Sequence, residues 1–159
     1  MDMALNIFSQ TLHGGSEIEL QGSVMLVSAS GTWNEPTASS VARQVRSIVT
    51  EHISGPWAIV MEINHWELTT PEAGSIFLEN SKWCRSNGLI HSAIVAARSS
   101  LFKTSVLSSM LAPLENPRHD RQVFQQKYQA IEWLADEGHD TGDFMPTAPS
   151  TNIVNQLQT

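Results

Sequence analysis

The chain has 159 residues, of which 41% are hydrophobic and 16% charged, and its net charge of -7 gives a pI near 5.2. This length is typical of one domain that buries about 68–70% of its unfolded surface, and the acidic charge argues against nonspecific binding to nucleic acid or to acidic membranes. Cys84 is the only cysteine, which excludes an intrachain disulfide and a cysteine-rich zinc site.

The first part of the chain predicts a β-hairpin followed by a helix. Ile18 and Leu20 alternate with glutamates, a half-buried strand pattern, and residues 24–29 form a nearly continuous apolar strand after a Gly-Ser turn. Residues 34–36, Asn-Glu-Pro, begin a helix that ends before Gly55-Pro56. Its apolar residues recur on one face: Val41, Val45, Ile48, Val49 and Ile53.

The rest of the chain alternates strands and helices. Strands are predicted at 57–63, 90–97 and, weakly, 122–125. Helices are predicted at 71–87, from a Ser100 cap through Leu111, and at 128–137. The inward stripe of the 71–87 helix is Ala73, Ile76, Phe77, Asn80 and Cys84.

This order predicts an α/β fold with a mixed, mostly parallel sheet of about five strands and about four crossover helices. The domain is expected to span residues 17–138, after an N-terminal segment at 1–16 that Gly14-Gly15-Ser16 breaks. Residues 139–159 are polar and predict a flexible tail.

Polar and aromatic residues gather where the 57–63 strand leads into a helix. His65 and Trp66 are expected on the loop at the carboxyl end of that strand, and Trp33 on the neighbouring loop, where α/β proteins place their contacts. The two tryptophans predict either a recognition patch or side chains that cover the edge of the core.

Helix-start signals offer local explanations for several of these residues. Thr69 and Thr70 are interpreted as caps, and Glu72, in the first helical turn, complements the helix dipole by about 0.3–1 kcal/mol. A partner-recognition role for Glu72 is the alternative. Arg98 and Lys103 flank the Ser100 cap, where free N–H groups could hold an anion, although a solvated basic pair is the simpler explanation.

No catalytic residue, cofactor or metal ligand can be assigned from motifs. The histidines lack the spacings of metal sites, and a nucleophile elbow, a phosphate-binding loop and a dinucleotide fingerprint are all missing. Residues 1–10 do not resemble a signal peptide, and no apolar run approaches the ~18 residues of a membrane span, so a cytoplasmic protein is expected.

Residues 19–27 and 31–34 together resemble the opening of an anti-sigma-factor antagonist, or STAS, domain. The stretch from Thr70 to Ala73 occupies the place of the switch loop, and residues 130–134 resemble the final helix of a STAS-like branch grouped with lipid carriers. The resemblance covers roughly residues 17–138. It implies a non-catalytic regulatory module that binds a partner protein, such as an anti-sigma-type kinase.

The chain departs from this family at the phosphorylated serine of its switch motif. Glu72 stands where that serine would be, while an alignment shifted by two residues offers Thr70 instead. The partner-binding face is expected to comprise Trp33, Asn34, His65, Trp66, Thr70 and Glu72.

The alternative function is a small-molecule or lipid carrier. Apolar residues of the third helix cover more than one face, which would suit a ligand groove or a homodimer interface equally well. These residues are Leu101, Phe102, Val106, Leu107, Met110 and Leu111.

Overall fold

The computed structural model of the chain describes residues 5–10, 14–114 and 120–144. A six-stranded sheet runs in the order β1-β2-β3-β4-β5-β6. Its strands are β1 Leu5–Gln10, β2 Gly14–Gln21, β3 Val24–Trp33, β4 Trp57–Thr69, β5 Leu89–Val95 and β6 Arg121–Phe124. The pairs β1–β2 and β2–β3 are antiparallel, and the three pairs from β3 to β6 are parallel. The predicted α/β fold with a mixed, mostly parallel sheet is confirmed.

Helices connect the parallel strands. They are α1 Glu35–His52, α2 Pro71–Ser86, α3 Phe102–Ser109 and α4 Lys127–Asp136, with a 3-10 turn at Arg98–Ser100. The first three lie in crossovers between neighbouring strands, whereas α4 follows the last strand. None of the helices in the described ranges is long and apolar enough to cross a lipid bilayer.

The central strands of the sheet, β3, β4 and β5, are buried on both faces. Helices α1, α2 and α3 contribute to one hydrophobic cluster, which includes Met25 and Ile59 of the sheet. Helix α4 contributes to a second cluster that contains Val24 and Val60. Neighbouring residues of β3 and β4 therefore point into different cores, which explains why both strands begin as continuous apolar runs.

The sheet begins earlier than the sequence predicts. β1 pairs with β2, so residues 5–10 and 14–16 of the predicted N-terminal segment belong to the sheet. Gly14 lies inside a strand, where a Cβ atom would come within 2.6 Å of the Thr32 carbonyl oxygen and 2.9 Å of Trp33 Cδ1. Its small size permits a close approach of β2 to β3 and does not mark a break in structure.

The start of the predicted tail packs on the domain. Phe144 is buried in the second hydrophobic cluster, and the backbone N–H of Ser23 donates a hydrogen bond to the Asp140 carbonyl oxygen at 2.9 Å. Residues 145–159 lie outside the described part of the chain, so their predicted flexibility stays a prediction.

Candidate functional site

Strand β4 extends beyond its predicted end at Ile63 and contains both His65 and Trp66. His65 pairs with Ser30 and Trp66 with Gly31, so placing these two residues on a loop was wrong. Their burial alternates, because His65 and Glu67 are exposed while Trp66 is buried. The polar residues of this stretch are outward positions of a half-buried strand, and that alternation was the signal in the sequence.

Trp33 and Trp66 are core residues. They are 1% and 3% exposed, so an open patch formed by the two indoles is wrong and the alternative of core packing is confirmed. Trp33 ends β3, stacks on Phe77 of α2 with ring centroids 4.8 Å apart, and donates from Nε1 to the carbonyl oxygens of Gly15 at 3.1 Å and Ser30 at 3.0 Å. It joins two strands and a helix.

Asn34 and Thr70 cap the two helices that follow β3 and β4. Asn34 Oδ1 accepts hydrogen bonds from the backbone N–H and the hydroxyl of Thr37, at 3.2 and 3.0 Å. Thr70 Oγ1 accepts from the Ala73 N–H at 3.2 Å. Both predicted helix starts are confirmed, whereas the capping role predicted for Thr69 is wrong, because its hydroxyl oxygen is buried and has no hydrogen-bond partner among the described residues.

The carboxyl ends of β3 and β4 and the starts of α1 and α2 form one edge of the domain, and its accessible part is acidic. Of the predicted partner-binding residues, His65 and Glu72 are exposed, and Glu35 and Glu67 are exposed as well. Glu35 and Glu72 both stand in the first turn of a helix, where a carboxylate is stabilised by the helix dipole. The sequence interpretation did not include Glu35 and Glu67 in the site.

Two of the three residues of the predicted anion site, Ser100 and Lys103, have structural roles. Ser100 is buried in the 3-10 turn and α3 begins only at Phe102, so its assignment as the cap of the third helix was wrong. The ammonium group of Lys103 donates to the carbonyl oxygens of Asn64 at 2.9 Å and Ile63 at 3.5 Å. Arg98 is exposed. The predicted anion site therefore lacks a helix N-terminus at Ser100, and the Lys103 ammonium group is hydrogen-bonded to backbone carbonyl oxygens.

A mainly apolar cavity lies between the sheet and helices α1, α2 and α3. It encloses about 70 Å³ and is open to solvent on one side. Val27 and Ile59 of the sheet and Val41, Phe77 and Leu107 of the helices line it. This volume is below the roughly 300–1,000 Å³ of common ligand pockets. The cavity has the lining of a site for an apolar group but room only for a small one, and its residues come from elements distant in sequence.

Cys84 lies in the cavity wall, and its thiol is a poor nucleophile. Burial raises the pKa of its thiol to about 12, against the opposing effect of the Arg46 charge. A thiol with so high a pKa holds almost no thiolate, which is the nucleophilic form. The predicted inward position of Cys84 on its helix is confirmed.

A cluster of polar side chains joins the amino-terminal ends of the parallel strands to the segment after α4. Its members are Ser23, His91, Glu137 and His139. His91 Nδ1 lies 2.8 Å from His139 Nε2, and His139 Nδ1 lies 3.3 Å from Ser23 Oγ. Glu137 Oε2 is 3.7 Å from His91 Nε2. The backbone N–H of Ser23 is hydrogen-bonded to the Asp140 carbonyl oxygen. It is therefore not free to stabilise the negatively charged oxygen of a reaction intermediate, as the backbone N–H of a catalytic serine can do. The sequence interpretation missed this cluster because 48 positions separate the two histidines.

The His91–His139 pair predicts that stability falls in mild acid. The pKa of His139 is lowered from 6.5 mainly by burial and also by His91, with Glu137 opposing. Because the folded state disfavours the proton, its contribution to the free energy of unfolding is full above pH 6.5 and is lost as the pH falls from 6.5 through the lower folded pKa. Urea titrations at several pH values should show a weaker acid dependence for His139→Gln than for the unmodified chain.

His52, which is exposed at the end of α1, supplies the control for this experiment. His52→Gln should keep the acid dependence of the unmodified chain. A His139→Gln curve that runs parallel to the unmodified one would contradict the predicted linkage.

Other site chemistry is limited in the described ranges. They contain no group of three or more histidine, cysteine or acidic side chains arranged to hold a metal ion. His13 and His119 lie outside these ranges. No protein-family model matches the chain, and no curated protein matches it significantly in sequence.

Proposed function

We propose that this domain is a non-catalytic STAS-like regulatory module that binds a partner protein through the edge at the start of α2. The observed order of an antiparallel hairpin followed by parallel strands with helical crossovers agrees with the resemblance that suggested this function. The observation that carries the proposal is the exposure of Glu72, which the capping of the helix does not require. Thr70 already makes the capping hydrogen bond, and Glu72 is exposed without a hydrogen bond or ion pair to any described residue.

The charge of this edge favours a basic partner segment. The exposed glutamates, Glu35, Glu67 and Glu72, give it negative charge, and His65 adds a hydrogen-bonding group. Complementary charge accelerates association and selects partners more than it increases affinity. A carboxylate at residue 72 is a permanent charge, so binding would not require the serine phosphorylation that the resemblance implies.

Glu72 is the residue to test. We expect Glu72→Ala to weaken partner capture and Glu72→Lys to abolish it, while the free energy of unfolding changes by less than about 1 kcal/mol because only the dipole interaction is lost. Affinity purification of the tagged protein from its own cells, followed by binding measurements with the recovered partner, would measure the effect. Urea unfolding would measure stability.

Glu79→Ala is the matched control, because Glu79 is exposed on the same helix beyond its first turn and lies 3.8 Å from Lys82. This variant removes the same charge and should bind normally. If Glu72→Lys captures the partner as well as Glu79→Ala does, Glu72 has only a structural role and this edge is not the binding face.

A second candidate function, a carrier of small molecules or lipids, is favoured by the cavity beneath α1, α2 and α3. Apolar side chains from three helices and the sheet surround that space. The outer face of α3 also keeps apolar surface exposed, with Phe102 70% and Val106 49% accessible. That outer surface is the place for the alternative homodimer interface, whereas the cavity, at about 70 Å³, has room only for a small apolar group.

A further inference from the structure

We propose that residues 139–144 form a strap that detaches from the turn between β2 and β3 in mild acid while the sheet and the helices stay folded, and that the contact between His91 and His139 is its switch. The strap lies apart from the acidic edge at the start of α2. The inference is therefore independent of partner capture through Glu72 and of the carrier candidate.

The strap is held by main-chain hydrogen bonds at the β2–β3 turn and by one buried ring. The Ser23 N–H donates to the Asp140 carbonyl oxygen at 2.9 Å, and the Asp143 N–H donates to Gln21 Oε1 at 3.2 Å. The ring of Phe144 is buried in the second hydrophobic cluster. The segment itself forms neither a helix nor a strand. A segment with so little buried apolar surface opens at a lower free energy than the central strands do.

The two imidazole rings can share one proton between their facing nitrogens but cannot hold two. His91 Nδ1 and His139 Nε2 lie 2.8 Å apart, and the ring planes meet at 89°. A hydrogen bond at this distance needs one donor and one acceptor, whereas a charged imidazole ring carries a proton on both nitrogens. When both rings are charged, two N–H groups face each other and their positive charges repel. Protonation of both rings therefore breaks the contact.

The surroundings of His139 determine which proton opens the strap. Its titratable neighbours are His91 on β5 and Glu137 after α4, the next residue is the exposed Asp140, and the neutral Ser23 Oγ lies 3.3 Å from His139 Nδ1. Glu137 Oε2 is 3.7 Å from His91 Nε2 and stabilises a first proton there. The pKa of His139 is lowered from 6.5 by burial and then by His91, while Glu137 opposes. The second proton, on His139, is the one that opens the strap.

Native-state amide hydrogen exchange, followed by NMR on the unmodified chain, tests this inference. The Ser23 N–H reports the strap, and the N–H of Val60, in the centre of the sheet, reports global unfolding. Rates would be corrected for the intrinsic pH dependence of exchange. We expect the Ser23 opening constant to rise about tenfold or more between about pH 7.5 and about pH 5, because the detached His139 takes up the proton that the closed strap disfavours.

Urea separates local opening from global unfolding. Low concentrations of urea should accelerate Val60 exchange steeply and Ser23 exchange only slightly, because detachment of six residues exposes little surface. The acid response of Ser23 should begin near pH 6.5 and level off where the His139 ring itself titrates, which NMR of the ring protons measures.

His139→Gln should remove the acid response of the Ser23 amide, because the glutamine side chain does not take up this proton. His52→Gln is the matched control, since His52 is exposed at the end of α1, and it should keep the response of the unmodified chain. The measurements on the unmodified chain need no variant, so they decide the question even if His139→Gln fails to fold.

A Ser23 amide that responds to acid and hardly to urea would support the strap. If its exchange follows that of Val60 under both treatments, the segment opens only with the whole domain and the inference is overturned. If acid leaves Ser23 exchange unchanged, or if His139→Gln keeps the acid response, the histidine pair is not the switch. None of these results bears on Glu72 or on the cavity.

Discussion

Trp33→Ala is expected to lower the free energy of unfolding by about 3–5 kcal/mol, as truncation of large buried aromatic residues does. The indole is 1% exposed, stacks on Phe77, and is hydrogen-bonded to the carbonyl oxygens of Gly15 and Ser30. Truncation would remove apolar contact between the sheet and α2 and would leave two acceptors without this donor. Urea unfolding followed by far-UV circular dichroism would measure the loss.

Phe102 provides the comparison for Trp33. Its ring is 70% exposed on α3, so Phe102→Ala should change the free energy of unfolding by no more than about 0.5 kcal/mol. If the two truncations cost the same, Trp33 is not the structural link between β2, β3 and α2 that its contacts indicate.

Gly22→Ala is expected to cost more than about 2 kcal/mol, for two separate reasons. Gly22 has a φ of +57°, which disfavours residues with a Cβ atom. That Cβ would also lie 2.3 Å from the Asp140 carbonyl oxygen and 2.5 Å from its Cγ, too close for either atom to remain in place. The chain after α4 would have to move, and the hydrogen bond from Ser23 to Asp140 would be lost with it.

Gly138→Ala separates backbone strain from this close contact. Gly138 has a φ of +94°, less favourable for alanine than that of Gly22, yet its Cβ would meet no atom within 4 Å. Alanine at position 138 should therefore show the cost of strain alone. Urea unfolding of both variants gives the comparison. Because the strain at Gly138 exceeds that at Gly22, a larger loss at Gly22 measures the close contact. A Gly22→Ala loss below about 2 kcal/mol, the cost of strain alone, would show that the segment after α4 is not held tightly against the β2–β3 turn.

Local signals explain what the sequence could predict of the fold. Apolar periodicity identified the helices and the buried strands, and the caps at Asn34 and Thr70 were predictable because capping involves residues three positions apart. Pairing between distant segments was not predictable in this way. β4 continues past Ile63 because β3 runs alongside it, and Gly14 was interpreted as a break because its close contact with Trp33 exists only in the folded sheet.

The candidate site was likewise predictable only where the signal was local in the sequence. The exposure of Glu72 and its place in the first turn of α2 followed from the helix-start pattern. Trp66 is buried because it packs against the helices, whereas its position next to the polar His65 in the sequence suggested that it would be exposed. The cavity joins residues of the sheet to α1, α2 and α3 and leaves no periodic signal in the chain.

The order of the sheet has a consequence for how the protein is made. Each strand from β2 to β6 pairs with the strand that precedes it in the chain, so a nascent chain leaving the ribosome can add every strand to an edge that already exists. The first core can acquire its helices as this edge grows. The second core waits for residues 127–144, which supply α4 and Phe144. Until those residues emerge, the growing sheet presents Val24, Val60 and Val95 on an uncovered apolar face, and the nascent chain is then at its most exposed to aggregation.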